Sequence, residues 1–146
     1  EEDRETSAPK ELIEGLKVTP KYAGKNRMDY IVEVESEAIV KALNPDHELL
    51  KRLDARGVIV TSISNADGID FVSRFFAPAY GIPEDPVTGS AHCCLGPYWK
   101  RRLNKNELTA FQASERGGFL KVGVEKDRVF IAGKAVTVFC AELKEE

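Results

Sequence analysis

The stretch from Gly81 to Trp99, G-I-P-E-D-P-V-T-G-S-A-H-C-C-L-G-P-Y-W, gathers residue types that could do chemistry. Pro83 and Pro86 hold the chain extended, and Thr88-Gly89-Ser90-Ala91 opens a helix predicted over Gly89 to Leu103. The first N–H groups of a helix lack internal partners and point outward with the positive end of its dipole. Gly89 leaves those donors uncovered and Ser90 adds a hydroxyl, so a ligand carboxylate or phosphate would be well placed there. Glu84 and Asp85 lie just upstream. The chemical reading is an acid–base carboxylate beside an anion cradle. The same letters also read as an ordinary helix cap, in which an acidic residue stabilises the helix start by about 0.3–1 kcal/mol.

Other candidates are weaker. His92-Cys93-Cys94 could supply a thiol nucleophile in Cys93, because a helix N-terminus favours thiolate. Consecutive helical residues point about 100° apart, so His92 and Cys93 do not form a dyad, and cysteines packed on a central helix are the simpler reading. Adjacent cysteines lack the spacing of zinc ligand pairs and no second pair exists, so no metal is expected. Lys100-Arg101-Arg102 with Lys105 reads as the solvated, basic end of that helix rather than a nucleic-acid patch. Arg116-Gly117-Gly118 is either a tight turn between strands or part of a cleft. No phosphate-binding loop, nucleophile elbow or dinucleotide glycine pattern occurs.

The elements that must position these residues follow from periodicity and punctuation. Pro9 to Leu16 predicts a short helix, and Lys17–Tyr22 and Met28–Val34 predict a hairpin with Gly24 and Asn26 in its turn. Ser36 caps a helix to Leu43, and Asp46 caps another through Leu53. Strands are expected at Val58–Ile63 and Ile69–Phe76, with Phe71, Phe75 and Phe76 in the core. An irregular loop spans 77–88. After the long helix come strands at 107–113, 119–125, 128–132 and 134–142. Strands do not alternate strictly with long helices, which argues against a doubly wound sheet. The expected class is α+β, a curved and mostly antiparallel sheet wrapped around one central helix. Residues 1–8 read as a linker or mobile end, and residues 9–146 as a single domain.

Composition narrows the function. The 146 residues are 42% hydrophobic and 31% charged, a globular balance with net charge −3. The acid concentrates in E-E-D-R-E at the start and E-L-K-E-E at the end, leaving a near-neutral body. Neither nucleic acid nor an anionic membrane is an expected partner. Three cysteines, two of them adjacent, suit a reducing cytoplasm better than a disulfide framework. The longest apolar run, Ala135 to Ala141, has the length of a strand. The chain opens at Glu1 and its sole methionine is Met28, from which a piece of a longer protein is expected.

E-D-P-V-T-G-S-A-H at 84–92, followed by F-Q-A-S-E-R-G-G at 111–118, resembles the phenazine-biosynthesis PhzF-like isomerase family. F-V-S-R-F-F-A-P-A-Y-G-I-P before it and G-K-A-V-T-V-F-C-A-E-L at the end are similar to the same family's C-terminal half. The resemblance runs from about Val58 to Leu143 and more loosely upstream. It implies a diaminopimelate-epimerase-like fold, in which two halves each wrap a sheet around a helix and the active site lies between them. It implies a cofactor-free isomerase acting on a small carboxylate by proton transfer. By motif, Asp85 would be catalytic, Thr88, Gly89 and Ser90 would bind the substrate carboxylate, and Ser114, Arg116 and Gly117 would lie near the cleft. The family's principal acid–base glutamate and its G-H-A-T histidine segment belong to the N-terminal half, and nothing here matches them. The resemblance therefore implies half a site, completed by a missing N-terminal half, with little activity in this chain alone and a homo-oligomer as the expected assembly. The alternative is a catalytically silent binding or interaction domain, possibly homodimeric.

Overall fold

The computed structural model describes residues 2–143; residue 1 of the expected linker and residues 144–146 of the expected domain lie outside the described residues. Eight strands form one sheet in sequence order, β1 (Arg4–Glu5), β2 (Tyr22–Lys25), β3 (Asp29–Glu33), β4 (Gly57–Ile63), β5 (Phe71–Phe76), β6 (Glu107–Gln112), β7 (Gly118–Glu125) and β8 (Arg128–Ala132). Neighbours pair antiparallel except β3 with β4 and β5 with β6, which are parallel. A parallel pair needs a crossover. The first crossover carries α2 (Glu37–Ala42) and α3 (His47–Leu50), and the second carries α4 (Gly89–Leu103). Because β5 runs opposite to β3, crossovers of one handedness put their helices on opposite faces of the sheet.

Alternation along the strands records this. Ile31, Ile59, Phe71 and Phe75 join Ala91, Leu95, Tyr98 and Trp99 of α4 in one core. Val32, Val60, Val72 and Phe76 turn the other way, against Leu12 and Leu16 of α1 (Lys10–Leu16), Val40 of α2 and Leu50 of α3. The central strands are thus buried on both faces, which is why they read as nearly continuous apolar runs. Residues from β2 to β8 all contribute to the α4 side, Tyr22 and Ile131 at its margins. Gly96 permits close approach there: a Cβ on it would lie 2.9 Å from Val122 Cγ1.

The polar groups that Trp99 and Tyr98 carry into the core are partnered, as burial requires, whereas Asp3 Oδ1 and His47 Nδ1 are buried without a hydrogen bond. Trp99 Nε1 donates to Thr61 Oγ1 at 3.0 Å, and Tyr98 donates to Glu33 at 2.5 Å. Both helix caps are in place, Ser36 accepting from the Ile39 N–H and Asp46 from those of Glu48 and Leu49.

The sheet is mostly antiparallel, as expected, with two parallel pairings, and the four expected α-helices are present among the described residues, of which α4 alone is long at 15 residues. Other expectations change. The three short helices occupy the face opposite α4, so one central helix is not the whole helical layer. Arg4–Glu5, within the expected linker, pairs with β2 as an edge strand, and Asp3 accepts from the Tyr22 hydroxyl at 2.5 Å. The first hairpin strand begins at Tyr22 rather than Lys17, and Gly24 lies inside it. No strand forms over 134–142, where Val136, Val138 and Phe139 are 87%, 88% and 79% exposed. The basic end of α4 is exposed at Arg101 and Arg102, as expected, and its charges are also partnered: Lys100 donates to the Val124 carbonyl, Arg101 pairs with Glu2 and Arg102 with Glu33.

Candidate functional site

The loop between β5 and α4 is held at both ends of its chemistry-bearing segment. Asp85 N–H donates to the Phe75 carbonyl at 3.0 Å, and the Asp85 carbonyl accepts from Gln112 Nε2 at 2.6 Å. Asp85 itself is half-buried. Its Oδ2 accepts a hydrogen bond from the Thr88 hydroxyl. Thr88 occupies the N-cap position of α4, yet its side chain makes no capping bond. The sequence reading of an ordinary cap therefore fails in detail, because the hydroxyl that would have capped the helix is turned to Asp85.

Past Thr88 the helix start is open. Gly89 and Ser90 are exposed, and a Cβ placed on Gly89 would meet nothing within 4 Å. The Ser90 hydroxyl accepts from Arg56 Nη2 at 3.0 Å. Arg56 reaches it from just before β4, aligned by a bidentate contact to the buried Asp29 and by the Phe75 ring 5.4 Å away. Its pKa is raised above its ordinary range, first by the hydrogen bonds it donates to Asp29 against the cost of burial, then by the charge of Asp29 and the nearby Tyr80 and Asp85. One turn into α4, His92 is wholly buried, with Nδ1 2.8 Å from the Thr88 carbonyl and Nε2 3.4 Å from Ser73 Oγ. Burial pushes its pKa down, opposed by the bond to Thr88, so the ring is kept neutral. Both ring nitrogens are thus engaged by Thr88 and Ser73 rather than by a thiol.

The second motif packs onto the same loop. Ser114 Oγ donates to the Pro86 carbonyl at 2.7 Å and accepts from Gly117 N–H at 3.1 Å. Gly117 has φ +68°, a left-handed conformation that suits glycine and turns β6 into β7. Of the residues singled out by sequence, Asp85, Thr88, Gly89 and Ser90 thus lie together, Gly89 and Ser90 exposed, Asp85 half-buried and Thr88 buried beside it, with Ser114 and Gly117 bracing the loop. Arg116 is exposed on the turn. Glu84 leaves the group, since both its oxygens are taken by Arg74, at 2.6 and 2.8 Å. Cys94 is buried and Cys93 half-buried on α4. Among the described residues no three of His, Cys, Asp and Glu come together in a group that could hold a metal. A groove of about 800 Å³ runs along β6–β8 past Lys105, Thr109, Lys121 and Phe130, and none of the site residues lines it.

Sequence reasoning missed Arg56 and Gln112. Arg56 carries no motif signal, and only the β3–β4 ladder brings it beside α4. Gln112 lies within the quoted F-Q-A-S segment, and a polar residue in step with Leu108 and Ala110 on the inward face of β6 could have marked it.

The PhzC-PhzF family, described as phenazine biosynthesis-like protein, matches residues 2–141. An uncharacterised isomerase of Halalkalibacterium halodurans is 57% identical over 140 residues, covering 96% of this chain and 53% of its own length. An uncharacterised isomerase of Pseudomonas aeruginosa is 50% identical over 142 residues, with the same two coverages, 96% and 53%. Among solved structures, a phenazine biosynthesis PhzF family protein of Enterococcus faecalis superposes with TM-score 0.85 at 42% identity, covering 90% of this chain and 50% of its own. A PhzC/PhzF protein of Clostridium difficile gives TM-score 0.85 at 36% identity, over 97% of this chain and 54% of that one. The chain spans about half the length of the curated relatives it matches. It is a member of the phenazine biosynthesis-like PhzC-PhzF family.

Proposed function

We propose that this chain supplies the C-terminal half of an interdomain active site in a cofactor-independent isomerase that moves a proton on a small carboxylate. Asp85 takes a proton from carbon or returns it, while the Gly89 and Ser90 donors at the start of α4 hold the substrate carboxylate. The observation that carries the reading is the pairing of a half-buried, hydroxyl-held carboxylate with an open helix start that its own N-cap residue does not cap. Arg56 adds positive charge on the same side. The site is a surface rather than an enclosed cavity, which suits a cleft closed by a second half, and the isomerases among the relatives are about twice as long. In this reading the sheet curves about α4, as in a diaminopimelate-epimerase-like half.

The test uses the protein carrying both halves, incubated in D2O with a panel of small carboxylic acids and followed by mass spectrometry. Deuterium enters a carbon position only if a proton is abstracted there and returned. D85N is expected to abolish incorporation, a loss of at least about a hundredfold for an acid–base group, with the circular dichroism spectrum unchanged. Undiminished incorporation refutes the assignment.

A second reading, a catalytically silent association domain that dimerises, is favoured by the exposed apolar residues Val136, Val138, Phe139 and Leu143. Native mass spectrometry separates the two: a stable homodimer without deuterium exchange supports association, and a complex with an N-terminal half supports the enzyme.

A further inference from the structure

We infer that Gln112 is a positioning residue which, through Thr88, fixes the oxygen of Asp85 at which a proton is carried; this rests on the reading of Asp85 as the acid–base group. The argument is one of hydrogen-bond polarity. Gln112 ends β6, wholly buried, between Ser73 of β5 and Gly118 of β7. Its Oε1 lies 2.8 Å from the Thr88 backbone nitrogen. A backbone N–H can only donate, so this contact sets which way round the amide stands. Nε2 is then directed at two atoms, the Asp85 carbonyl at 2.6 Å and Thr88 Oγ1 at 3.1 Å. Both amide hydrogens are used.

A hydroxyl has one proton. Thr88 Oγ1 receives from Gln112, so its own proton is free to go to Asp85 Oδ2. That oxygen is therefore an acceptor and does not carry the proton. Among the described residues no hydrogen bond occupies Oδ1, and it is there that a proton is taken up and released. Thr88 is 7% exposed and Gln112 0%, so water competes little with the chain of bonds. The same contacts fix the Asp85 backbone, so Gln112 sets both where the carboxylate stands and which edge it presents.

Three substitutions test the polarity. Q112E keeps the shape and the acceptor for Thr88 N–H but replaces the donor with a second acceptor, so the Thr88 hydroxyl turns to residue 112 and Oδ2 loses its partner. T88V keeps the shape and removes the hydroxyl; T88S restores it. On this chain, proton NMR at low temperature should show a slowly exchanging Thr88 hydroxyl proton with a nuclear Overhauser contact to the Gln112 side-chain amide. Absence of that contact in the unsubstituted chain overturns the inference, whatever the activity. In the two-half protein, Q112E and T88V are each expected to slow deuterium incorporation at saturating substrate at least about tenfold, with the Michaelis constant within about twofold and T88S recovering most of the rate. T88V decides the matter if Q112E does not fold. If T88V exchanges at the unsubstituted rate while D85N does not exchange, this inference falls and the assignment of Asp85 stands. If D85N exchanges normally, the assignment falls and takes this inference with it.

Discussion

Replacing Arg56 with alanine should destabilise the fold far more than an ordinary surface substitution. Arg56 makes two bonds to Asp29, Nε to Oδ1 at 2.9 Å and Nη2 to Oδ2, and no other side chain bonds those oxygens among the described residues. The Asp29 side chain is 2% exposed while Arg56 is 24% exposed. Removing one member of a buried pair leaves a stranded charge and costs about 3–5 kcal/mol. Arg56 borders solvent, so water entering the vacated space recovers part of that, and about 2–4 kcal/mol remains. With a urea slope of about 2 kcal/mol per molar, the midpoint falls by about 1–2 M. Asp29→Asn should cost less, since the guanidinium left behind can reach water. The double variant D29N/R56A should recover at least half of the loss, because it leaves no uncompensated charge. Urea unfolding followed by tryptophan fluorescence measures all three, with Trp99 as the probe in the core. A fall below about 0.5 kcal/mol for R56A, within the range of a neutral surface change, refutes the reasoning.

Two further outcomes follow from buried groups. His92 is kept neutral in the fold, whereas in the unfolded chain it takes a proton below about pH 6.5. The unfolded state then binds more protons, so stability falls as pH drops below that value, by at most about 1.4 kcal/mol per pH unit. H92Q should lose this slope between about pH 6.5 and 5 in urea titrations, and equal slopes in both proteins contradict it. Burial pushes the Cys94 thiol up to about 11, partly offset by the Asn26 amide 3.2 Å from its sulfur. At pH 7.5 only roughly three thiols in ten thousand are ionised there. Iodoacetamide should modify the exposed Cys140 and spare Cys94 in a peptide map; equal labelling overturns the burial argument.

Local signals were legible wherever a residue acts on its own neighbours. Ser36 and Asp46 cap as expected because capping is a contact within three residues. The limits of α4 were readable from T-G-S-A at one end and Asn104 at the other, where φ is 52°. The first hairpin was misread because Val18 and Tyr22 suggest a strand while Pro20 between them removes a ladder donor; pairing starts only after it. Gly24 looked like a turn residue, but it lies in β2, where a Cβ would stand 2.6 Å from Asp3. The parallel ladders could not be seen, since the β3–β4 and β5–β6 pairings depend on crossovers rather than on any local pattern. The candidate site divides the same way. Asp85, Thr88, Gly89 and Ser90 are contiguous and were found together, whereas Arg56 and Gln112 arrive from 34 and 24 residues away.

The unpaired run from Val136 to Ala141 has a consequence for the isolated chain in solution. V-T-V-F-C-A is six residues of β-branched, aromatic and small side chains with no charge, proline or glycine, and the chain leaves it open to solvent. Such a window can build in-register stacks between molecules, with every backbone group satisfied by the chain above and below. Lys134 and Glu142 flank it as charged gatekeepers, but they stand outside the window rather than within it. This segment is therefore expected to limit the solubility of the chain alone, and salt, which screens the two flanking charges, is expected to lower that limit further.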